Sequence, residues 1–580
     1  MPSPKTIHYR IELHDPHAHQ YRVTLTVPDP APRQRLSLPV WIPGSYMVRE
    51  FARHLSHLEA KQGRRALALT QIDKTTWLAE CGGRGALELS YLVYAFDTSV
   101  RTAFLDARRG FFNGTSLCLR VEGREQEAHT IGFGKLPRGW QVATAMRSKG
   151  AGRYLCDSYD ELVDHPFELG TFWRGKFKAH GVPHEFVVAG AWPGFDGERL
   201  LADAQRICEA QIGFWHGSRR PKPPFERYVF LLNAVDDGYG GLEHRSSTAL
   251  IAKRRDLPQQ GVTAQTEGYV TLLGLISHEY FHTWNVKRLK PAPFERLDYT
   301  RENYTELLWF FEGFTSYYDD LFLRRCGLID EARYLRLLAK TVNQVLGTPG
   351  RQVQSVAQAS FDAWVKYYRP DENTVNATVS YYTKGSLVAL LLDLGLRREG
   401  EGTLDTVLRT LWKAGRGGPV GEEHIAAALR EVGGRDWGAE LADWVHGTGE
   451  LPLREALAAV GVRWREEAPT LAQRLGARLS ADNGGPLKLQ SVLSGGAAEA
   501  AGLAPGDELV ALDGWRVRRA DDLVALGACD RPLPLLAARD QRLLQLTLPA
   551  ARAAGAVSLA ADPQADGAAR SRRAAWLGGA

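Results

Sequence analysis

Two histidines four positions apart, His278 and His282, are the residues of this sequence best suited to chemistry. On a helix, side chains four residues apart share one face, so both imidazoles can reach the same metal ion. Glu279 directly follows the first histidine and points aside from that ion. It can instead accept a proton from a water molecule that the metal makes acidic, and can later donate the proton to a leaving amine. The spacing predicts metal-dependent hydrolysis of amide bonds.

Glu312 is the candidate for a third metal ligand. A chance His-Glu-x-x-His motif is expected in about one chain in twenty of this composition, so an independent ligand matters. Glu312 lies 312 − 282 = 30 positions beyond His282, within the aromatic segment Trp309–Phe314. Burying a carboxylate among aromatic residues is unfavourable unless it is paired or bound to metal. Two histidines and one glutamate leave one position of tetrahedral zinc open for water, which is typical of catalytic zinc.

Around these residues the sequence resembles the glycyl aminopeptidase family of zinc metallopeptidases. The resemblance rests on the segments His278–Pro291 and Glu312–Thr315, and on Pro39–Met47, which is similar to a stretch of that family's N-terminal β-domain. It implies a Zn²⁺ cofactor held by the two histidines and the glutamate, and removal of N-terminal residues with a preference for Gly and Ala. It also implies an N-terminal β-domain, a thermolysin-like catalytic domain and a C-terminal PDZ domain.

The more distant aminopeptidase N family indicates further site residues. Gly240, Gly241 and Glu243 lie in a Gly-Gly-Leu-Glu-His segment that is similar to its Gly-x-Met-Glu-Asn motif, and 278 − 243 = 35 residues separate Glu243 from His278. By that analogy Glu243 holds the positive α-amino group of the substrate, while the edge strand beside it pairs with the substrate backbone. Tyr382, in a Tyr-Thr-Lys-Gly segment, is similar to the tyrosine that donates a hydrogen bond to the oxyanion.

Both of these assignments have structural alternatives. The two glycines could form a turn that leaves Glu243 exposed, because glycine is common in turns. Tyr382 could be a buried structural tyrosine. If the alignment with the aminopeptidase N motif shifts by one residue, Tyr381 is the oxyanion-binding tyrosine instead.

Sequence periodicity predicts the elements that position these residues. Residues 1–165 contain short alternating segments and predict an N-terminal β-sandwich-like domain. Residues 166–460 begin with strands and continue with helices, in keeping with a thermolysin-like mixed α/β and then helical catalytic domain. A helix over Thr266–Trp284 is predicted to carry the two histidines. The helix that carries Glu312 is predicted to open with a capping box at Asn303–Glu306.

The pattern changes again toward the C-terminus. Residues 465–550 include the segment Ala501–Gly514, which resembles part of a PDZ domain, and such domains bind peptides by adding them as a strand. Residues 551–580 are rich in Ala, Gly and Arg, which predicts a disordered tail. The expected fold class is therefore multidomain α+β with a C-terminal PDZ-like domain.

Length and composition limit the remaining possibilities. The chain has 580 residues, enough for roughly three or four domains. Lys and Arg number 72 against 67 Asp and Glu, and a net charge of +5 is too small to predict a nucleic-acid partner. The six scattered cysteines contain no CxxC pair, so no thiolate zinc site is predicted. No secretory segment or bilayer-length apolar run is found, which predicts a cytoplasmic protein without a membrane partner.

Three functions are compatible with these features. The first is a zinc aminopeptidase that acts on peptides with a free N-terminus. The second is a zinc endopeptidase that uses the PDZ-like module to present chains, in which case Glu243 has no amine to bind. The third is a peptide-binding adaptor whose zinc site is vestigial, against which the intact metal motif argues. Acetylating the substrate N-terminus separates the first function from the second.

Overall fold

The computed structural model describes residues 6–217, 222–400, 402–415, 417–480 and 485–578. The chain divides into two compact units, one formed by Met1–Tyr304 with Gly415–Pro419 and the other by Thr305–Ala414 with Val420–Ala580. The domain boundaries predicted at residues 165, 460 and 550 stay predictions.

The first unit begins with a β-rich region, as the alternating sequence predicts. The strand Gln20–Val27 alternates fully buried and half-buried residues because one of its faces covers the core. It pairs antiparallel with Ile7–Asp15 and Leu87–Tyr94 in an eight-stranded sheet. Two four-stranded sheets contribute to the same apolar core. The other strands of this region are Arg33–Ser37, Leu55–Gln62, Arg65–Leu67, Leu69–Gln71, Thr76–Glu80, Ala103–Leu105, Arg109–Phe112, Arg120–Val121, His129–Phe133, Gln141–Ala143, Arg147–Gly150, Arg153–Cys156 and Phe167–Gly170, and its helices are Gly114–Leu117 and Tyr159–Val163.

A five-stranded sheet follows and has the Gly-Gly-Leu-Glu segment at its edge. Its central strands run parallel and its two outer strands antiparallel. The middle strand is buried along almost its whole length, as expected for a parallel strand covered on both faces. The strand order is Trp173–Ala179, Val182–Ala189, Tyr228–Val235, Ser247–Lys253, Gly240–Glu243. The accompanying helices are Gly197–His216 and Glu267–Phe281, and a two-residue strand, Lys290–Pro291, follows them.

Helices dominate the chain from Leu308 onward, which confirms the predicted helical region. The helices are Leu308–Arg325, Glu331–Leu346, Val356–Phe361, Thr374–Ala377, Thr383–Glu399, Leu404–Gly415, Glu422–Gly433, Gly438–Leu441, Leu453–Ala459, Leu471–Leu475, Ala497–Ala500, Ala520–Ala525 and Gly567–Gly578. The strands are Pro419–Val420, Val462–Glu466, Ala477–Leu479, Leu489–Val492, Glu508–Leu512, Trp515–Arg516, Leu533–Arg539, Arg542–Leu548 and Val557–Ala561. None of the described helices is both long enough and apolar enough to cross a membrane.

The predicted capping box at Asn303–Glu306 is wrong. The helix begins at Leu308, and its first turn is held by the hydroxyl of Ser360, which accepts the amide proton of Trp309 at 2.9 Å. Asn303 instead closes a local loop, because its side-chain amide donates to the carbonyl of Asp298 at 2.7 Å and its oxygen accepts the Asp298 amide. An Asn side chain bonds its local backbone as readily in a turn as at a helix start, so the motif by itself does not choose between them.

Two glycines let two helices of the second unit cross closely. We call these helices the Glu312 helix (Leu308–Arg325) and the Tyr382 helix (Thr383–Glu399). A Cβ placed on Gly313 would lie 2.6 Å from Cα of Gly385, and a Cβ on Gly385 would lie 2.7 Å from the carbonyl oxygen of Trp309. Both obstacles are backbone atoms, so neither position has room for a side chain. The glycines of the Glu-Gly-Phe-Thr and Tyr-Thr-Lys-Gly motifs therefore set the helix spacing.

We expect Gly385→Ala to destabilise the second unit by about 1–3 kcal/mol, because the new methyl group overpacks a backbone contact. The matched control is Gly213→Ala in the helix Gly197–His216, where the new Cβ meets only a histidine nitrogen at 3.9 Å. That change should stabilise the protein by up to about 1 kcal/mol, through helix propensity. Thermal unfolding of both variants measures the difference. Equal unfolding midpoints would contradict the close crossing.

The region after residue 476 contains a small four-stranded antiparallel sheet with its own apolar core. The strand Glu508–Leu512 lies within the segment Ala501–Gly514, and Asp513 and Gly514 form the hairpin turn after it, with φ angles of 51° and 80°. Both angles lie in the left-handed region, which Asp and Gly tolerate best. A compact β-rich module is therefore present in this region.

The prediction of a disordered tail over residues 551–580 is wrong for residues 551–578, and residues 579 and 580 lie outside the described residues. Val557–Ala561 pairs antiparallel with Val462–Glu466, and Asn343 exchanges two hydrogen bonds with the backbone of Val557. The helix Gly567–Gly578 buries Trp576 completely. Low-complexity Ala-rich sequence suggested disorder, but alanine is also the best helix former. The helix buries Ala569, Trp576 and Leu577.

Candidate active site

The two histidines lie at the C-terminal end of the HExxH helix (Glu267–Phe281). Thr266 caps this helix, since its hydroxyl accepts the amide proton of Tyr269 at 3.1 Å. His282 immediately follows the last helical residue and keeps helical backbone angles. The ring centroids of His278 and His282 are therefore only 4.7 Å apart, on one face. The predicted juxtaposition of the two imidazoles is present.

The tautomer of His282 suits metal binding. Its Nδ1 lies 2.8 Å from the carbonyl oxygen of Asn285. A carbonyl oxygen can only accept, so Nδ1 carries the proton and the lone pair of the ring lies on Nε2. Donation from the second ring nitrogen to a carbonyl is the usual way in which proteins orient a histidine ligand. His282 is 1% exposed, which leaves its ring little freedom to turn away.

Glu279 packs against the edge strand Gly240–Glu243. Its carboxylate lies so close to Gly241 that a Cβ on that glycine would overlap it. Gly241 therefore makes room for Glu279, and Gly240, with φ of 146°, adopts a backbone conformation that favours glycine. The glycines required here do not form an exposed turn; they bring a strand against the HExxH helix.

Glu243 ends the same strand and is 4% exposed, so the alternative of an exposed acid in a turn is wrong. Its carboxylate lies against Gly44, where an added Cβ would be 2.5 Å from Oε1. Gly44 has a φ of 93°, a second reason for glycine at that position. Gly44 belongs to Pro39–Met47, and that segment therefore contributes directly to the surroundings of Glu243.

A buried carboxylate, Asp164, fixes the chain on either side of this strand. Its oxygens lie 2.7 Å from Nζ of Lys287 and 3.3 Å from Nδ1 of His244, and one accepts the amide proton of Arg245 at 3.0 Å. Burial opposes its ionisation, but Lys287 and then His244 and Arg245 hold the pKa of Asp164 well below its usual range. Asp164 thus ties the residues after Glu243 to the segment that follows His282.

Glu312 lies in the second unit and is 2% exposed. On the Glu312 helix it is surrounded by fully buried aromatic residues, as the sequence predicts. These residues are Trp309, Phe310, Phe311 and Phe314. A carboxylate in such surroundings is a suitable metal ligand, because a cation would offset its desolvation.

Tyr382 is at the start of the Tyr382 helix, near Glu312. Burial, followed by the negative charge of Glu312, raises the pKa of Tyr382 well above its usual range. The phenol is therefore a neutral hydrogen-bond donor across the physiological range. Its ring lies 4.8 Å from that of Tyr381 and 5.3 Å from that of Tyr367. Tyr381 is fully buried, whereas Tyr382 is partly exposed, which favours Tyr382 as the residue that meets a substrate.

The structure thus brings the predicted residues together within each unit. The first unit contains the two histidines, Glu279 and the edge strand with Glu243, and the second contains Glu312 and Tyr382. Sequence reasoning missed Arg101, which donates to the carbonyl oxygen of Gly241 at 3.1 Å, and Asp164. Neither residue has a local sequence signal, because each acts through a contact between distant parts of the chain. Gly44 could have been found, since its segment carries part of the family resemblance.

The chain is similar to known peptidases over nearly its full length. Residues 8–171 match the Peptidase M61 N-terminal domain, and residues 271–388 match the M61 glycyl aminopeptidase profile. An aminopeptidase N family protein from Idiomarina loihiensis is 36% identical, with a TM-score of 0.92 over 99% of this chain and 100% of that chain. An M1 zinc metallopeptidase from Deinococcus radiodurans is 16% identical, with a TM-score of 0.47 over 78% of this chain and 95% of that chain. No curated protein matches the chain.

The two M61 domain matches and the similarity to the Idiomarina loihiensis protein show that this protein is a peptidase. Within that class, the chain belongs to the M61 glycyl aminopeptidase family. The resemblance noted in the sequence is confirmed.

Proposed function

We propose that the protein is a zinc-dependent aminopeptidase that removes N-terminal residues from peptides and prefers Gly and Ala. One observation carries the proposal. Glu243, a buried carboxylate, ends the same four-residue edge strand whose Gly241 contacts the carboxylate of Glu279. A fixed negative charge beside a candidate general base suits a substrate with a positively charged end. An endopeptidase does not need that charge, because the residues around an internal peptide bond carry no free α-amino group.

His278, His282 and Glu312 would hold the zinc ion. Two imidazoles and one carboxylate form a donor set typical of catalytic zinc, and the proton on Nδ1 of His282 leaves Nε2 available for it. The burial of Glu312 among aromatic residues also supports this assignment. When bound, zinc would polarise the scissile carbonyl and make the attacking water more acidic.

The side chains would divide the remaining work. Glu279 accepts a proton from the attacking water and transfers it to the leaving amine. Tyr382 stays protonated and donates a hydrogen bond to the carbonyl oxygen as negative charge develops on it. Glu243 pairs with the α-ammonium group and so places the first peptide bond, rather than a later one, at the site of attack.

The edge strand Gly240–Glu243 would position the substrate backbone. It pairs with Ser247–Lys253 on one side only and is the last strand of its sheet among the described residues. An extended peptide can add to such an edge through main-chain hydrogen bonds. Gly240 and Gly241 have no side chains to keep the peptide away.

We also propose a PDZ-like role for the C-terminal β-rich module. Its four-stranded sheet and the helix Ala520–Ala525 support the resemblance that the sequence suggests. In that role it would bind a peptide by strand addition. A peptide bound there would be held close to the peptidase as a substrate. The alternatives are the adaptor function and the endopeptidase function.

Hydrolysis of glycyl- and alanyl-p-nitroanilide by the purified protein tests the proposal. We expect turnover that a chelator removes and zinc restores, and no turnover of N-acetylated alanyl-p-nitroanilide, because acetylation removes the charge that Glu243 binds. Cleavage of internal bonds in N-acetylated peptides would establish the endopeptidase instead. A protein that binds no zinc and hydrolyses neither substrate would contradict the metal site and favour the adaptor.

A further inference from the structure

A cavity in the first unit borders Glu243 on the side of Gly44. Three cationic residues, Arg245, Lys287 and Lys290, line it together with Glu243. Aromatic rings form another part of its wall, with Tyr46 and Phe294 at a centroid distance of 5.9 Å. Gly44 lies directly against the Glu243 carboxylate, where an added Cβ would be 2.5 Å from Oε1, and both residues form part of the cavity wall.

The three cations differ in how well their charges are satisfied. Lys287 is paired with Asp164 at 2.7 Å and is only 10% exposed. Arg245 reaches the same carboxylate only at 3.8 Å from its Nε, and its side chain is 42% exposed. The amine of Lys290 forms no hydrogen bond or ion pair with any residue in the described ranges. Within the part of the chain that the structure describes, this half-buried ammonium group of the cavity therefore has no counter-ion at bonding distance.

The environment of Lys290 favours an added anion. Burial lowers the pKa of Lys290, and the positive charges of Arg245 and Lys287 lower it further, while Asp160 and Glu295 act weakly in the opposite direction. An ammonium group so placed gains from any carboxylate that replaces its lost hydration. Glu243 on the same wall offers the opposite charge. The cavity is thus suited to a small group that carries both an ammonium and a carboxylate.

We propose that this cavity receives the side chain of the substrate's first residue, and that it allows the protein to release N-terminal aspartate and glutamate in addition to small neutral residues. The α-ammonium of such a residue pairs with Glu243 while its side-chain carboxylate pairs with Lys290. In aspartate two carbon atoms separate these groups, so both fit within one small cavity. The inference rests on the proposed aminopeptidase function and assigns Lys290 as a specificity-determining residue.

Aspartyl- and asparaginyl-p-nitroanilide provide the first test, since the two side chains have nearly the same shape and differ in charge. We expect the wild-type protein to have a kcat/KM for the aspartyl substrate about tenfold to a hundredfold higher, the range of a hydrogen-bonded charge pair. Equal values, or a preference for asparagine, would overturn the inference with no variant needed. Turnover of the alanyl substrate in the same preparation would leave the aminopeptidase function standing.

Lys290→Met is the second test, because methionine keeps most of the side-chain volume without the charge. We expect the ratio of aspartyl to alanyl kcat/KM to fall by about tenfold to a hundredfold, mostly through KM, and Lys290→Arg to restore most of it. Lys176→Met is the matched control, an exposed lysine of the same unit, and should leave the ratio unchanged. An unchanged ratio in Lys290→Met would overturn the inference. Absence of turnover for every p-nitroanilide would instead overturn the aminopeptidase proposal, and this inference with it.

Discussion

Glu279→Gln should lower kcat/KM for alanyl-p-nitroanilide by about a hundredfold to ten-thousandfold while leaving the fold and the bound zinc in place. Glutamine has the same shape as glutamate, so it fits against Gly241 as Glu279 does. Its amide cannot accept a proton from water, however, and cannot return one to the leaving amine. The loss should appear mainly in kcat, because Glu243, the proposed anchor of the substrate amine, is untouched. Steady-state kinetics measure the effect, and metal analysis of the same sample shows whether zinc is retained.

The matched control for this change is Glu267→Gln, at the exposed first turn of the same helix. It removes one negative charge from the HExxH helix but lies almost three turns from the histidines. We expect normal turnover, with a change in stability of less than about 1 kcal/mol from the helix dipole. If Glu279→Gln retained both zinc and full activity, Glu279 could not be the proton acceptor, and the mechanism proposed above would fail.

Trp576→Ala should destabilise the second unit by about 3–5 kcal/mol, the cost of removing a buried tryptophan. The side chain is fully buried, and its Nε1 donates to the hydroxyl of Tyr317 at 2.8 Å. Tyr317 lies on the Glu312 helix, and its hydroxyl in turn donates to Asp393 of the Tyr382 helix at 2.6 Å. The indole therefore completes a buried network that joins two helices of the site. Chemical or thermal unfolding measures the loss.

Three further altered proteins make this prediction specific. Trp515→Ala removes a tryptophan that is 68% exposed and should change stability by less than about 0.5 kcal/mol. Trp576→Phe retains most of the packing but not the donor, so we expect an intermediate loss of about 1–2 kcal/mol. A chain ending at residue 550 should be less stable than Trp576→Ala, because it also loses the strand Val557–Ala561. An unchanged unfolding transition in that truncated chain would show that the segment is dispensable, as a disordered tail would be.

Much of the site follows from short sequence patterns. The four-residue spacing of His278 and His282 is enough to place two imidazoles on one helix face, since the helix repeat is a local property of the backbone. The alternating strands of the N-terminal region and the buried aromatic surroundings of Glu312 are also local, because they depend on periodicity and composition. These features were predicted and are present in the structure.

Patterns of comparable strength failed where two local structures compete. The Asn303–Glu306 segment has the residue types of a capping box, yet the Asn303 side chain forms hydrogen bonds with the backbone of Asp298 instead. Residues 551–580 have the composition of a disordered segment, yet the described part of it forms the strand Val557–Ala561 and the helix Gly567–Gly578. For the strand the deciding contact comes from a distant part of the chain, at Asn343, whereas Asn303 is held by a local loop at Asp298.

The sequence by itself determined the chemistry available to this protein: the imidazole pair, the adjacent glutamate, a distant buried carboxylate and the membership of a peptidase family. Only the tertiary structure decided which residues surround those groups and how they are buried and paired. It places Gly44 against Glu243, Asp164 among His244, Arg245 and Lys287, and Lys290 in the wall of a cavity. The physical reason is that burial, desolvation and charge pairing depend on which distant segments meet, and periodicity along the chain carries no information about that meeting.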